Sequence, residues 1–173
     1  MKLSTLGPKN TNSQFACDHY LSKKQKTKKS EVLLYDTAEE AINGLLSGDA
    51  DLAILCVVYP RLHEIVFENL TTISIIELFY FETDNMVVAS KGPVFDQIRA
   101  CCHPAPQSLL PETLSDITLV NSNSIAASLV SKGIYDICIT TQAAAKQYSL
   151  DIVKDYGPVP MGWAVFQRIQ NGH

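Results

Sequence analysis

The chain has 173 residues, 46% of them hydrophobic, and a formal net charge of −4. That suffices for one globular body with a sizeable core, and the mild acidity argues against nucleic acid as a partner. No apolar run is long enough to span a bilayer, and Met1–Gly7 lacks the apolar stretch of a signal peptide, so a cytoplasmic location without membrane attachment is expected.

In chain order, the pattern predicts a helix over residues 13–21 and a strand at Glu31–Tyr35. A helix follows at Ala38–Leu46, opened by a Thr37/Glu40 capping box and stopped at Gly48. Strands are predicted at Leu52–Val58, Ile75–Phe81, Asn85–Ala89, Ile98–Cys102 and Ile117–Val120. Next come a helix at Ser124–Ser131 ending at Gly133, a strand at Ile137–Thr140, a helix at Gln142–Tyr148 and a strand at Ala164–Gln167. The alternation and the apolar, partly β-branched strands predict α/β structure, with largely parallel sheets covered on both faces. The basic run at 23–29 has no interleaved aromatic residue and reads as a solvated helix end.

Five cysteines make an odd count with no CxxC pair, which argues against a disulfide framework or a zinc site. Cys56 and Cys138 sit in apolar runs as small core residues, and Cys101-Cys102 ends another. No GxGxxG fingerprint or metal cluster occurs, so no cofactor and no metal are expected.

Four strand-to-helix junctions are rich in small polar residues: 7–13, 103–108, 121–124 and 140–142. A helix N-terminus carries unpaired N–H groups and partial positive charge, and in open α/β folds the carboxyl ends of strands form the ligand crevice. Together such junctions suit a small anionic metabolite; singly, each also reads as ordinary capping. His103 titrates near the working range and could hydrogen-bond or move a proton, or simply cap the chain before Pro104. Arg61 and His63 are further candidate contacts that also read as surface residues.

Residues 5–13 contain Gly7-Pro8-Lys9-Asn10-Thr11-Asn12-Ser13, which resembles the Gly-Pro-x-Gly-Thr-x-Ser loop of the prephenate dehydratase family. His103-Pro104 resembles its Ser-His-Pro stretch, and Asn121–Ala127 its Ser-Thr-x-x-Ala-Ala helix start. Where the dehydratases carry Thr-Arg-Phe, with a threonine linked to loss of the substrate hydroxyl, this chain has Met161-Gly162-Trp163. Their Pro-Ile-Glu-Asn-Ser stretch corresponds to Cys56-Val57-Val58-Tyr59-Pro60, and the loop's second glycine to Asn10, which tolerates a left-handed backbone. These departures resemble the subgroup that decarboxylates prephenate in bacilysin- and aeruginosin-type antibiotic pathways. Val120-Asn121-Ser122-x-Ser124, Gly133-x-Tyr135-Asp136-Ile137, Tyr148-x-Leu150 and Pro160-Met161-x-Trp163 fit it.

The resemblance implies a two-lobed α/β fold like that of type II periplasmic binding proteins, with the substrate cleft between the lobes. Lobe one would hold residues 1–80 and 156–173, lobe two residues 81–155, with no regulatory ACT domain. It implies prephenate as substrate, decarboxylation that spares the ring hydroxyl and shifts the ring double bonds, and a possible homodimer. Asn10, Thr11, Asn12, Ser13, Asn121, Ser122, Asn123, Ser124 and Thr140 would position substrate oxygens. Met161 and Trp163 would wall the ring, and Tyr59 and His103 are candidate proton donors beside water and the substrate's own hydroxyl. Two other outcomes stay open: a dehydratase with another acid, and a carboxylate-binding module without turnover.

Overall fold

The computed structural model describes residues 1–24, 30–93 and 98–169. The chain divides into two compact units, one of Met1–Glu82 with the chain from Pro160 onward, the other of Thr83–Val159.

The first unit contains β1 (Lys2–Leu6), α1 (Asn12–Lys23), β2 (Glu31–Tyr35), α2 (Ala38–Ser47), β3 (Leu52–Cys56), α3 (Leu62–Glu68) and β4 (Ile73–Tyr80). The second contains β5 (Asn85–Ser90), β6 (Ala100–Cys102), β7 (Ile117–Leu119), α4 (Asn123–Ser131), β8 (Ile137–Thr141), α5 (Gln142–Gln147) and β9 (Asp151–Pro158); β10 (Gly162–Arg168) returns to the first. The sheet orders are β2-β1-β3-β10-β4 and β7-β6-β8-β5-β9. They are the same arrangement built twice.

Both sheets are mixed, which corrects the expectation of largely parallel ones. In the first, β1 runs parallel to β2 and β3, while β10 is antiparallel to β3 and β4. In the second, β6 runs parallel to β7 and β8, while β5 is antiparallel to β8 and β9. The reversed strand in each sheet is the first that the chain lays down on crossing from the other unit. An apolar run does not encode strand direction, so this feature is not visible in composition.

The inner strands of each sheet are buried on both faces. In the first unit Ala53, Leu55, Ala164 and Phe166 pack under α2 and α3. Their neighbours Leu52, Ile54, Trp163 and Val165 pack under α1. The alternation follows from strand geometry, with successive side chains on opposite faces. Helix α2 buries Ala38, Ala41, Ile42 and Leu45, the i, i+3, i+4, i+7 stripe of an amphipathic helix. Its capping box is present: Glu40 N–H donates to Thr37 Oγ1 at 3.1 Å, and Thr37 N–H to Glu40 Oε2 at 3.3 Å. Gly48 closes the helix at φ 89°. Thr37→Ala is expected to cost about 1 kcal/mol, read as a lower urea midpoint at unchanged slope, with Thr37→Ser close to wild type.

Three elements escape the hydrophobic pattern. Strand β1 is central yet carries Ser4 and Thr5; both are buried because Ser4 Oγ donates to Ala41 O at 2.7 Å and Thr5 Oγ1 to Ile54 O at 2.6 Å. Strand β9 is an exposed edge with three charged residues, and α3 spans under two turns. Of the basic run, Lys24 pairs with Glu77 at 2.8 Å, while residues 25–29 lie outside the described residues. No helix among the described residues is long and apolar enough to cross a membrane.

Candidate active site

The two units carry matching first turns. In α1, Thr11 is the N-cap and Asn12 and Ser13 are the first two helical residues. In α4, Ser122 is the N-cap and Asn123 and Ser124 follow. Thr11 Oγ1 accepts from Gln14 N–H at 3.5 Å, and Ser122 Oγ accepts from Ile125 N–H at 3.2 Å. Each capping hydroxyl thus serves the third helical N–H. A first turn carries N–H groups that the helix does not pair internally, and here a serine hydroxyl stands beside them. Ahead of α1, Asn10 adopts φ 64° and donates its N–H to Gln14 Oε1 at 2.8 Å. The left-handed position expected of the loop is therefore filled by a residue that tolerates it. Asn121 is exposed, while Ser122 and Ser124 are buried.

Asn123 stands out within this set. Its Nδ2 lies 4.0 Å from Met86 Sδ, and its Oδ1 is buried without a hydrogen-bond partner among the described residues. A buried acceptor left unpaired costs about 1–3 kcal/mol, so this oxygen has a reason to meet a donor.

The junction at 140–142 is spent on structure, which corrects the expected role of Thr140. That residue has no solvent exposure, and its hydroxyl donates to Asn123 O at 2.8 Å. It braces the first turn of α4 rather than touching a ligand. The start of α5 is already occupied: Ala143 N–H donates to Asp84 Oδ2 at 2.6 Å and Ala144 N–H to Thr141 Oγ1 at 3.2 Å. Asp84 supplies the negative charge that a helix start favours. No motif announced it, because it lies far from α5 in sequence.

His103 follows β6 and is half-buried. Its Nδ1 accepts from Ala105 N–H at 3.2 Å, which assigns the neutral tautomer with the proton on Nε2. Burial lowers its pKa from the usual histidine value. At neutral pH it is therefore an uncharged Nε2–H donor, suited to holding a substrate oxygen and poorly suited to giving up a proton.

Tyr59 is placed elsewhere, a correction to its expected part in proton transfer. Its ring packs with the cluster under α2 and α3, the face opposite Met161 and Trp163. Its hydroxyl donates to Glu39 Oε2 at 3.0 Å, and burial, then the Glu39 bond, raise its pKa. Arg61 joins that cluster, 3.4 Å from Glu39 Oε1 and 2.6 Å from Glu64 Oε2. His63 is a surface side chain near Glu64.

Trp163 is a core residue, 1% exposed, so the expected wall against a substrate ring is not its role. Its Nε1–H donates to Phe81 O at 3.3 Å. Met161 is half-buried and packs at the margin of the same cluster. The backbone at this tripeptide is pinned on both sides: Phe81 N–H donates to Met161 O at 3.0 Å and Val57 N–H to Gly162 O at 3.1 Å. A side chain at Gly162 would meet Val57 Cγ2 at 3.0 Å.

All five cysteines are free. Burial pushes Cys17 and Cys101 up to about 12, and raises Cys138 further. These thiols are packing residues, not nucleophiles.

The architecture identifies a class of protein. Its fold is that of a prephenate dehydratase from Arthrobacter aurescens solved with L-Phe, at TM-score 0.71 and 14% identity over 98% of this chain. The chain spans 61% of that protein's length. The same two-unit α/β fold occurs in a periplasmic substrate-binding protein from Coxiella burnetii, at TM-score 0.58 and 12% identity over 97% of this chain and 84% of the other. No family model matches the chain. In sequence it is similar to a prephenate decarboxylase from Planktothrix agardhii, 29% identical over 178 residues, covering 96% of this chain and 87% of the relative. The resemblance to prephenate decarboxylases within a prephenate dehydratase-like fold is thereby borne out.

Proposed function

We propose that this chain is a cofactor-independent prephenate decarboxylase that releases the ring carboxylate as carbon dioxide and keeps the ring hydroxyl. The electron pair of the broken C–C bond enters the ring, one double bond moves, and a ring carbon takes up one proton. The product is a dihydro-4-hydroxyphenylpyruvate. The observation that carries this reading is Met161-Gly162, in the place where the dehydratases have Thr-Arg. Neither side chain can donate a proton to a departing oxygen, and a leaving hydroxyl needs such a donor.

The remaining roles follow from the groups present. Prephenate is a dicarboxylate, and the first turn of α1, like that of α4 in its own unit, is equipped to hold a carboxylate through N–H groups and the hydroxyl of Ser13 or Ser124. Thr11 and Ser122 shape these turns, with Asn10, Asn12, Asn121 and Asn123 supplying amides around them. His103 Nε2–H holds a substrate oxygen, and water supplies the ring proton. Met161 offers an apolar surface that disfavours a localised carboxylate charge relative to the dispersed charge of the transition state. The reading includes a place in antibiotic or related secondary metabolism and a cytoplasmic location; five free cysteines accord with a reducing compartment.

The test is to return a donor to the tripeptide. Met161→Thr with Gly162→Arg, and Val57→Ala to make room, is expected to begin forming phenylpyruvate, detected by its aromatic proton signals. Continued hydroxyl-retaining product alone would remove Met161 as the switch between the two outcomes. The likeness to a periplasmic substrate-binding protein favours a second reading, binding without turnover. It requires saturable prephenate binding with no loss of substrate.

A further inference from the structure

We infer that Val57 and Val58 are specificity-determining residues, an apolar ledge in the first unit that holds the carbocycle of a ring-bearing carboxylate. The inference deepens the proposed function and rests on it for the identity of that ring as prephenate's.

Residues Cys56–Tyr59 form a tight turn at the carboxyl end of β3, closed by Tyr59 N–H donating to Cys56 O at 3.1 Å. The turn is anchored at both ends. Cys56 packs against the cluster under α1, and Tyr59 against the cluster under α2 and α3. The Tyr59 hydroxyl is tied further to Glu39. Val57 N–H donates to Gly162 O at 3.1 Å and fixes the turn to the start of β10. Between these anchors Val57 and Val58 are left 40% and 52% exposed.

The turn itself has no use for them, because central turn positions favour Gly, Pro, Asn, Asp and Ser. Exposed apolar residues scattered singly need no explanation. These two are adjacent, held by a fixed backbone, and placed where α/β sheets bind ligands, outside the carboxyl ends of the strands.

The location supplies the other half of the ligand. Strands β1 and β3 are parallel neighbours, with Ser4 beside Ala53. The loop that leads through Asn10 and Thr11 into α1 therefore leaves the same sheet edge as the Val57-Val58 turn. Strand β10, antiparallel to β3, starts from that edge at Gly162. A Cβ at Gly162 would lie 3.0 Å from Val57 Cγ2, so Val57 takes up the room that a side chain at 162 needs. A carboxylate held at the first turn of α1 thus has a fixed apolar surface at the same edge. This pairing selects a carboxylate that bears an apolar ring. It disfavours a ring with an oxygen against the valines, because that oxygen would lose water without gaining a donor. In prephenate the ring's polar groups sit on opposite carbons, which leaves its C–H edges to lie on the ledge.

NMR titration of the full chain with two unreactive probes tests the ledge without turnover. The probes are cyclohexylacetate and its dioxane analogue, which has one oxygen on each ring edge. Wild type is expected to bind the cyclohexyl probe about 10-fold more tightly. Val57→Thr and Val58→Thr keep the side-chain shape and exchange one methyl group for a hydroxyl. Each should shrink the preference by roughly 3- to 4-fold, the worth of one buried carbon. Val57→Ile and Val58→Ile keep the ledge apolar and should keep the preference, as should Val153→Thr on the distant β9 strand. With prephenate, the double threonine variant should raise KM about 10-fold while kcat changes little, the mark of lost uniform binding. Equal binding of the two probes by wild type, or a preference that both threonine variants retain in full, would overturn the inference. A wild type that prefers the cyclohexyl probe yet leaves prephenate unchanged would support the ledge and sink the decarboxylase reading instead.

Discussion

Replacing His103 with alanine is expected to slow prephenate turnover by about 10- to 100-fold, the 1.5–3 kcal/mol of a hydrogen bond to a charged group. The fold should survive, because the bond from Ala105 N–H to Nδ1 is the ring's one polar tie among the described residues. His103→Gln should recover most of the rate, since the amide keeps an N–H donor. A merely structural role would leave the pH dependence unchanged. In the wild type, burial holds the His103 pKa below the usual 6.5, so the neutral donor persists through neutral pH. As pH falls through that lowered value Nδ1 gains a proton and can no longer accept from Ala105 N–H, the ring loses its tether, and an acid limb in kcat/KM is expected. His103→Gln has no such titration and should lose the limb. Stability moves in the same direction: the unfolded histidine gains its proton near 6.5 while the folded one resists, so native stability declines as pH drops below that point.

The second large effect is on stability. Trp163→Ala should cost about 3–5 kcal/mol, a large fraction of the roughly 5–15 kcal/mol that holds a typical domain. The indole is 1% exposed among Leu3, Ala16, Cys17, Tyr20, Ile54 and Val165. Its loss also leaves the Phe81 carbonyl without the indole N–H. Trp163→Phe keeps most of the packing and should cost far less. Urea titrations measure both. If Trp163 serves the core and not the reacting ring, the Trp163→Phe protein will form the wild-type product at nearly the wild-type rate.

Much of the scaffold was legible where local physics decides it. The capping box at Thr37 and Glu40, the glycine stop at Gly48 and the left-handed Asn10 are each set within a few residues of chain. The apolar strands β3, β5, β8 and β10 read correctly because each is largely buried on both faces. What failed to read depends on distant partners. Strand β1 looks polar until Ala41 and Ile54 supply acceptors for Ser4 and Thr5. Tyr59 looked available until Glu39 took its hydroxyl, and Thr140 until Asn123 did. Asp84 reaches the start of α5 across 59 residues. The alternation of Trp163 and Val165 against Ala164 and Phe166 did hold the signal that Trp163 faces the core, once β10 is seen to be covered on both sides.

Proton NMR of prephenate incubated with the purified protein at mildly alkaline pH distinguishes hydroxyl-retaining decarboxylation from dehydration and from binding alone. An enzyme-free control is essential because prephenate aromatises spontaneously in acid. New olefinic signals with the carbinol proton retained are expected. Aromatic signals above the control would contradict hydroxyl-retaining decarboxylation and mark a dehydratase; unchanged prephenate would contradict it in favour of binding without turnover.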